Sequence, residues 1–162
     1  MGKIPPGIYV PPTFSFLTRV PPTIVVHPYY DYDLKRLEAR IPYEAGIEAF
    51  VRAHRGPIIT FEEKRTLRVR AEQFLNWSPR GSLFFVETIQ DNPKPRDFEL
   101  KEFALFLERF HSHDIHLAGG YTRDSDSLGC LGTVEDALQS AGFRTELVPG
   151  LTYGLGDLRY RY

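Results

Sequence analysis

The sequence predicts a three-layer α/β/α sandwich around a mostly parallel sheet of five to six strands. Three observations predict it. Short β-branched or apolar runs recur along the chain, segments with helical spacing separate them, and glycine or proline punctuates the joins. Strands that alternate with helices form right-handed crossover units, which cover both faces of one sheet.

Each element follows in order. Residues 1–22 carry three Pro-Pro pairs, at 5–6, 11–12 and 21–22. Proline lacks a backbone donor and pushes its predecessor into extended geometry. With Ile8-Tyr9-Val10 and Phe14-Ser15-Phe16-Leu17 between the pairs, this segment reads as an extended arm lying on the domain or on a neighbouring subunit. A single α/β domain is expected over residues 23–162. Its first strand is Thr23-Ile24-Val25-Val26. Residues 33–54 then show helical spacing through Leu34, Leu37, Ile41, Ala45, Ala49 and Phe50, with Pro42 expected to start a new helix or kink this one. Pro57 to Phe61 is the second strand, 62–76 a helix on a Leu67, Ala71, Phe74, Leu75 stripe, and Ser82 to Val86 the third strand. A helix capped by Asp97 runs to Phe110. Ile115 to Ala118 is the fourth strand, ending at Gly119-Gly120. A polar loop, 121–129, precedes a helix from about Leu131 to Ser140, stopped by Gly142. Phe143 to Val148 is the fifth strand, and the tail from Leu151 adds an edge strand or a contact.

Composition bounds the function. The chain has 162 residues, 42% hydrophobic and 25% charged. A domain of that size buries roughly 70% of its unfolded surface and needs no staples. The net charge of −1 argues against broad electrostatic binding to nucleic acid or an anionic membrane. The single cysteine, Cys130, excludes an intrachain disulfide and any multi-cysteine zinc site, and it fits a reducing, cytoplasmic setting. No apolar run reaches the length of a membrane span. The aromatic arm points to homo-oligomerisation.

Ligands in open α/β sheets bind at the carboxyl ends of the strands. The loops to watch are therefore 27–33, 61–66, 87–96, 119–130 and 149–154. Cys130 opens a predicted helix in one of them. A helix N-terminus favours the thiolate and so a nucleophile, whereas the commoner role of a lone cysteine is that of a small apolar residue.

The segment Asp114-Ile115-His116-Leu117-Ala118-Gly119-Gly120, then Gly129-Cys130-Leu131-Gly132-Thr133, then Ala141-Gly142-Phe143, resembles the isochorismatase-like cysteine hydrolases. In that family a hydrophobic strand ends in glycine, a loop leads to a cysteine heading a helix, and the helix ends at Gly-Tyr or Gly-Phe before the last strand. Ser78 to Val86 is similar to the family's segment before its catalytic lysine. The resemblance implies an isochorismatase-like, Rossmann-like fold and hydrolysis of a small amide, imide or related carbonyl compound, a C–N bond other than a peptide bond. It implies Cys130 as nucleophile, Asp31 or Asp33 as proton acceptor and Lys94 as the supporting cation. It also implies Glu87, Gly129, Tyr121 and Asp33 as substrate contacts, with no metal and no cofactor. Three departures stand beside it. The first strand is followed by His27-Pro28-Tyr29-Tyr30-Asp31-Tyr32-Asp33 rather than an Asp-x-Gln pattern, Glu87 occupies the position matching the lysine, and loop 121–129 is longer.

A rival constellation is acidic. Asp31, Asp33, Asp124 and Asp126 follow the first and fourth strands, where a Mg²⁺-dependent nuclease of the PIN or NYN type holds its metal. Aspartate is also common in turns and caps. His111, His113 and His116 crowd one segment, but their spacing crosses a helix end, a turn and a strand, so convergence on a metal is not expected. Gly119-Gly120 is too short for a dinucleotide fingerprint, and no Walker-type loop is present. A third reading is a non-catalytic scaffold that exchanges its arm between subunits.

Overall fold

A computed structural model describes residues 4–5, 7–11, 16, 20–29, 35–78, 82–90, 92–124, 127–154 and 157–158. Eight strands appear among them: β1 (Ile8–Tyr9), β2 (Thr23–Val26), β3 (Ile58–Glu63), β4 (Leu83–Thr88), β5 (Asp114–Gly120), β6 (Arg123–Asp124), β7 (Ser127–Leu128) and β8 (Arg144–Tyr153). The helices are α1 (Arg40–Ala53), α2 (Lys64–Trp77), α3 (Leu100–Leu107) and α4 (Cys130–Ser140). Six strands form one sheet in the order β1-β4-β3-β2-β5-β8, and β6 pairs with β7 in a separate small hairpin. Only β1 runs antiparallel within the large sheet.

After the edge strand β1, the chain enters the parallel part of the sheet at its middle strand, β2. It steps outward through β3 and β4, then returns to the other side of β2 for β5 and β8. The direction of winding therefore reverses between β2 and β5, which opens a crevice at their carboxyl ends.

Every residue of β2 and β3 is buried. Both faces are covered, which is why these strands read as continuous apolar runs instead of alternating ones. Ile24, Val26, Phe61 and Val86 pack with Phe103 and Leu107 of α3 and Leu131 and Val134 of α4. Val25, Ile58 and Phe85 pack on the opposite face with Tyr43 and Ile47 of α1 and Phe74 of α2. Burying each such side chain stabilises the fold by about 1.5–3 kcal/mol relative to leaving it in water.

The structure shifts several expected boundaries. Helix α1 begins at Arg40, not near residue 33. Pro42 lies in its first turn, where a missing N–H breaks no helical hydrogen bond. The buried stripe of α1 is Tyr43, Ile47 and Val51, while Ile41, Ala45 and Ala49 face outward. The larger side chains gain more from burial than the two alanines do. Helix α3 is capped by Glu99 rather than Asp97, because Glu99 and Glu102 form a reciprocal capping box.

Strand β8 runs past the expected end at Val148. Leu117 pairs with Leu147 and Gly119 with Thr152, so β5 advances two residues while β8 advances five. Pro149 cannot donate to the ladder and Gly150 takes a φ of 75°, and β8 bulges at that point. Described residues of the arm contact the domain. Ile8 and Tyr9 pair with Val86 and Phe85 at the sheet edge, and Phe16 packs against Phe84, Phe106 and Phe110. The tail adds one further bridge, Leu158 to Leu37. Among the described residues, no helix is long and apolar enough to cross a membrane.

Candidate functional site

The crevice between the ends of β2 and β5 is shaped by glycine. Gly119 has a φ of 103°, and a Cβ there would collide with the Val26 carbonyl. A Cβ on Gly120 would strike the ring of Tyr153, and one on Gly129 would strike Tyr121. Glycine at these points lets the β5 exit, Tyr121 and the start of α4 pack closely.

Cys130 is the first residue of α4. Gly129 caps the helix with extended backbone and without a side-chain bond, and no acidic residue occupies the first turn. The positive end of the helix dipole is thus not offset by a local carboxylate. The thiol is half-buried against the cluster on the α3/α4 face. The Gly132 N–H donates to the Tyr121 carbonyl at 2.9 Å, and the Thr133 N–H and hydroxyl both donate to the Gly129 carbonyl at 2.9 Å. These bonds tie Tyr121 to the start of α4.

The other residues singled out in the sequence do not gather at Cys130 among the described contacts. Lys94 lies in the β4–α3 loop, where its Nζ is 2.8 Å from Glu99 Oε1. Glu87 pairs with Arg96, its Oε1 2.6 Å from Arg96 Nη1. Strands β4 and β5 are three spacings apart in the sheet, roughly 14 Å at the usual strand separation. Glu87 also stands in register with Glu62, on the α1/α2 face, opposite the face that holds Cys130. Asp31, Asp33 and Asp126 lie outside the described residues, and Asp124 falls in β6. His111 ends a short 3₁₀ turn in left-handed conformation, His113 packs on Phe143, and His116 lies 4.0 Å from Glu146. Among the described residues, no three metal-binding side chains converge.

The structure brings forward residues that sequence reasoning passed over. His27 follows β2 directly, is buried, and has a φ of 40°. Its N–H donates to the Phe61 carbonyl at 3.0 Å, and its Nε2 is 2.8 Å from Thr88 Oγ1. The imidazole therefore spans the end of β3 and links the exits of β2 and β4. On the α1/α2 face, buried Glu62 accepts from Arg70 Nε at 2.8 Å and from the Thr66 hydroxyl at 2.7 Å. Burial pushes the Glu62 carboxyl up, and the Arg70 charge and the hydroxyl bond pull it back. Arg70 also donates to Gln73, and its guanidinium lies 4.2 Å over the ring of Tyr29. Burial likewise raises the Tyr29 hydroxyl. The available signals were Glu62-Glu63 directly after an apolar strand, and an arginine two turns into the next helix.

Tyrosine rings form a continuous path on the α1/α2 side. Tyr29 contacts Tyr43 at 6.3 Å between centroids, Tyr43 contacts Tyr153 at 5.2 Å, and Tyr153 contacts Tyr121 at 5.6 Å. Two clefts flank this path. One, of about 830 Å³, lies between α1 and the bulged end of β8. The other, of about 770 Å³, lies between α1 and α2 over Arg70. Cys130 lines neither. No family model matches the chain, and no curated protein or solved structure matches it.

Proposed function

We propose that the chain is an isochorismatase-like hydrolase acting on a small amide, imide or related carbonyl compound, with Cys130 as its nucleophile. The observation that supports this reading best is the position of Cys130. It is the first residue of an eleven-residue helix with no acidic residue in its first turn, beside the point where the sheet reverses its winding. A helix N-terminus favours the thiolate, and ligands in open α/β sheets bind where the winding reverses.

The chemistry closes in two steps. Asp31, or Asp33, takes the thiol proton, and Cys130 Sγ adds to the carbonyl carbon. The C–N bond breaks as the amine leaves with that proton, and a thioester remains. The same carboxylate then removes a proton from water, which adds to the thioester and releases the acid and the free thiol. In this reading, backbone N–H groups near Gly129 and Cys130 stabilise the developing oxyanion. Lys94 supports the carboxylate only after exchanging Glu99 for it.

The test is the rate at which iodoacetamide alkylates Cys130 between pH 5 and 9, in the wild type, Asp31→Asn and Lys94→Ala, followed by an amide and imide screen with Cys130→Ala as control. The expected result is an apparent thiol pKa well below ~8.5, the free value, displaced by either substitution. Hydrolysis that survives Cys130→Ala removes the nucleophile. An unperturbed thiol together with Mg²⁺ or Mn²⁺ binding lost in Asp31→Asn gives the site to the nuclease reading.

A further inference from the structure

Strand β8 ends the sheet on its side, and among the described residues nothing pairs with its outer edge. The opposite edge is closed by the two-residue β1, whereas β8 runs for ten residues. A long open edge is a template for another strand. The bulge at Pro149 and Gly150 interrupts it, so the regular part is Arg144 to Val148. The tail's bridge from Leu158 to Leu37 lies at the other end of β8, in the cluster that holds Leu151 and Tyr153.

The backbone directions within this run are fixed. The Arg144 N–H donates to the carbonyl of His113, directly before β5, at 2.8 Å. Successive residues of a parallel strand point their N–H and C=O groups to alternate sides, so those of Thr145 and Leu147 point outward. The Thr145 side chain is held on the α4 face, accepting from Gln139 at 2.8 Å and donating to Glu135 at 3.1 Å. Arg144 and Glu146 stand on the other face, in register with Asp114 and His116. Their side chains are 76% and 78% exposed, which leaves them available to a partner. Arg144 gives Nε and Nη2 to Asp114 at 2.6 and 3.0 Å, and its Nη1 takes no part in that pair.

We propose that this edge pairs antiparallel with the same edge of a second copy of the chain, about a two-fold axis at Thr145, to form one continuous sheet. The sequence of the edge selects that axis from the positions 144 to 148. An axis at Arg144 or Glu146 sets a charge directly against its own copy, which destabilises a sheet. An axis at Leu147 or Val148 brings Pro149, which has no N–H to give, opposite an outward-pointing residue. An axis at Thr145 lets the two Thr145 residues exchange both backbone hydrogen bonds. It also places Arg144 opposite Glu146 twice, at the closer spacing of about 4.5 Å between Cα atoms that non-hydrogen-bonded pairs adopt. Each row across the junction then alternates in charge: Asp114, Arg144, and Glu146 of the second copy. The pairing leaves out Cys130 and the arm, and it is independent of the hydrolase reading.

Sedimentation equilibrium of the full chain at low salt tests it. The mass should rise from one chain to two as concentration increases. Arg144→Glu and Glu146→Arg should each stay monomeric, because each sets like charges opposite one another across the junction. An equimolar mixture of the two variants should dimerise roughly ten-fold more tightly, or better, than either alone, because both junction pairs are then of opposite charge. Both side chains are exposed, so the fold should survive, and far-ultraviolet circular dichroism checks it. Amide exchange read by NMR gives the register. Protection at Thr145 and Leu147 should grow with protein concentration, whereas Arg144 and Glu146, whose N–H groups point to the β5 side, should not change. A single-chain mass at every concentration, a dimer that persists unchanged in both charge variants, or a mixture that stays monomeric overturns the proposal.

Discussion

His54 shows how one side chain couples pH to stability. It caps the C-terminus of α1, where the helix dipole favours a positive charge by about 0.3–1 kcal/mol. Its surroundings oppose that charge. The ring stacks on Phe50 at 4.7 Å, and its Nε2 is buried without a hydrogen-bond partner. Burial, and then the charge of His116, hold its pKa below the ordinary histidine value. A base depressed in the fold contributes stability that is complete above about pH 6.5, the unfolded value, and is lost as pH falls through the folded value. Urea midpoints at pH 7.5 and 5.0 should therefore drop further in the wild type than in His54→Phe, which keeps the ring stack and cannot protonate. Glu62 and Arg70 illustrate a second kind of residue-scale constraint. Removing one partner of a buried pair strands the other, at a cost of about 3–5 kcal/mol. The sequence hid both sites for the same reason. Nothing local to His54 or Glu62 marks it as buried until the helices close over the sheet.

At the scale of elements, glycine marks where backbone meets backbone and where it only turns. Gly119 and Gly142 both have φ near 100°, at 103° and 92°. A Cβ at Gly119 collides with the main chain of Val26, whereas at Gly142 nothing lies within 4 Å. Gly142→Ala should cost about 1 kcal/mol, the left-handed penalty alone. Gly119→Ala adds a clash that neither β2 nor β5 can relieve by rotating a side chain, and should cost 3 kcal/mol or more. Paired chemical denaturation of the two variants checks the difference. The central strands were legible because apolar runs at Thr23, Ile58, Leu83 and Ile115 are what strands buried on both faces require. Less legible were ends fixed by side-chain competition. Asp97 is as good a cap by type as Glu99, and only the reciprocal bond to Glu102 decides between them. The β6–β7 hairpin and the extension of β8 were likewise absent from the local pattern, because their pairing depends on distant partners.

For the whole molecule, the sequence carried the class of fold and the position of Cys130, but not the strand order. That order decides which loops share a site. It puts β4 at the far side of β2 from β5, and with it Glu87 and Lys94, which the family resemblance grouped with Cys130. It also joins residues far apart in the chain, as in the His27–Thr88 bond, 61 positions apart. The arm shows the same limit. Its prolines announced extended backbone, but its pairing with β4 comes from the free edge that the tertiary fold creates.

The path of tyrosines has an optical consequence. Rings held edge to face at 5–6 Å in an asymmetric interior give a strong near-ultraviolet circular dichroism band, and Tyr43, Tyr153 and Tyr121 meet that condition at 5.2 and 5.6 Å. The three connect α1, the end of β8 and the residue after β5, so the band reports on packing that no single helix maintains. Under mild acid or low urea, the tyrosine band should fade while the far-ultraviolet helix signal persists, if side-chain packing loosens before the helices melt. Tyr153→Phe should retain most of the band and Tyr153→Leu should lose most of it, which makes the molecule its own probe of tertiary order.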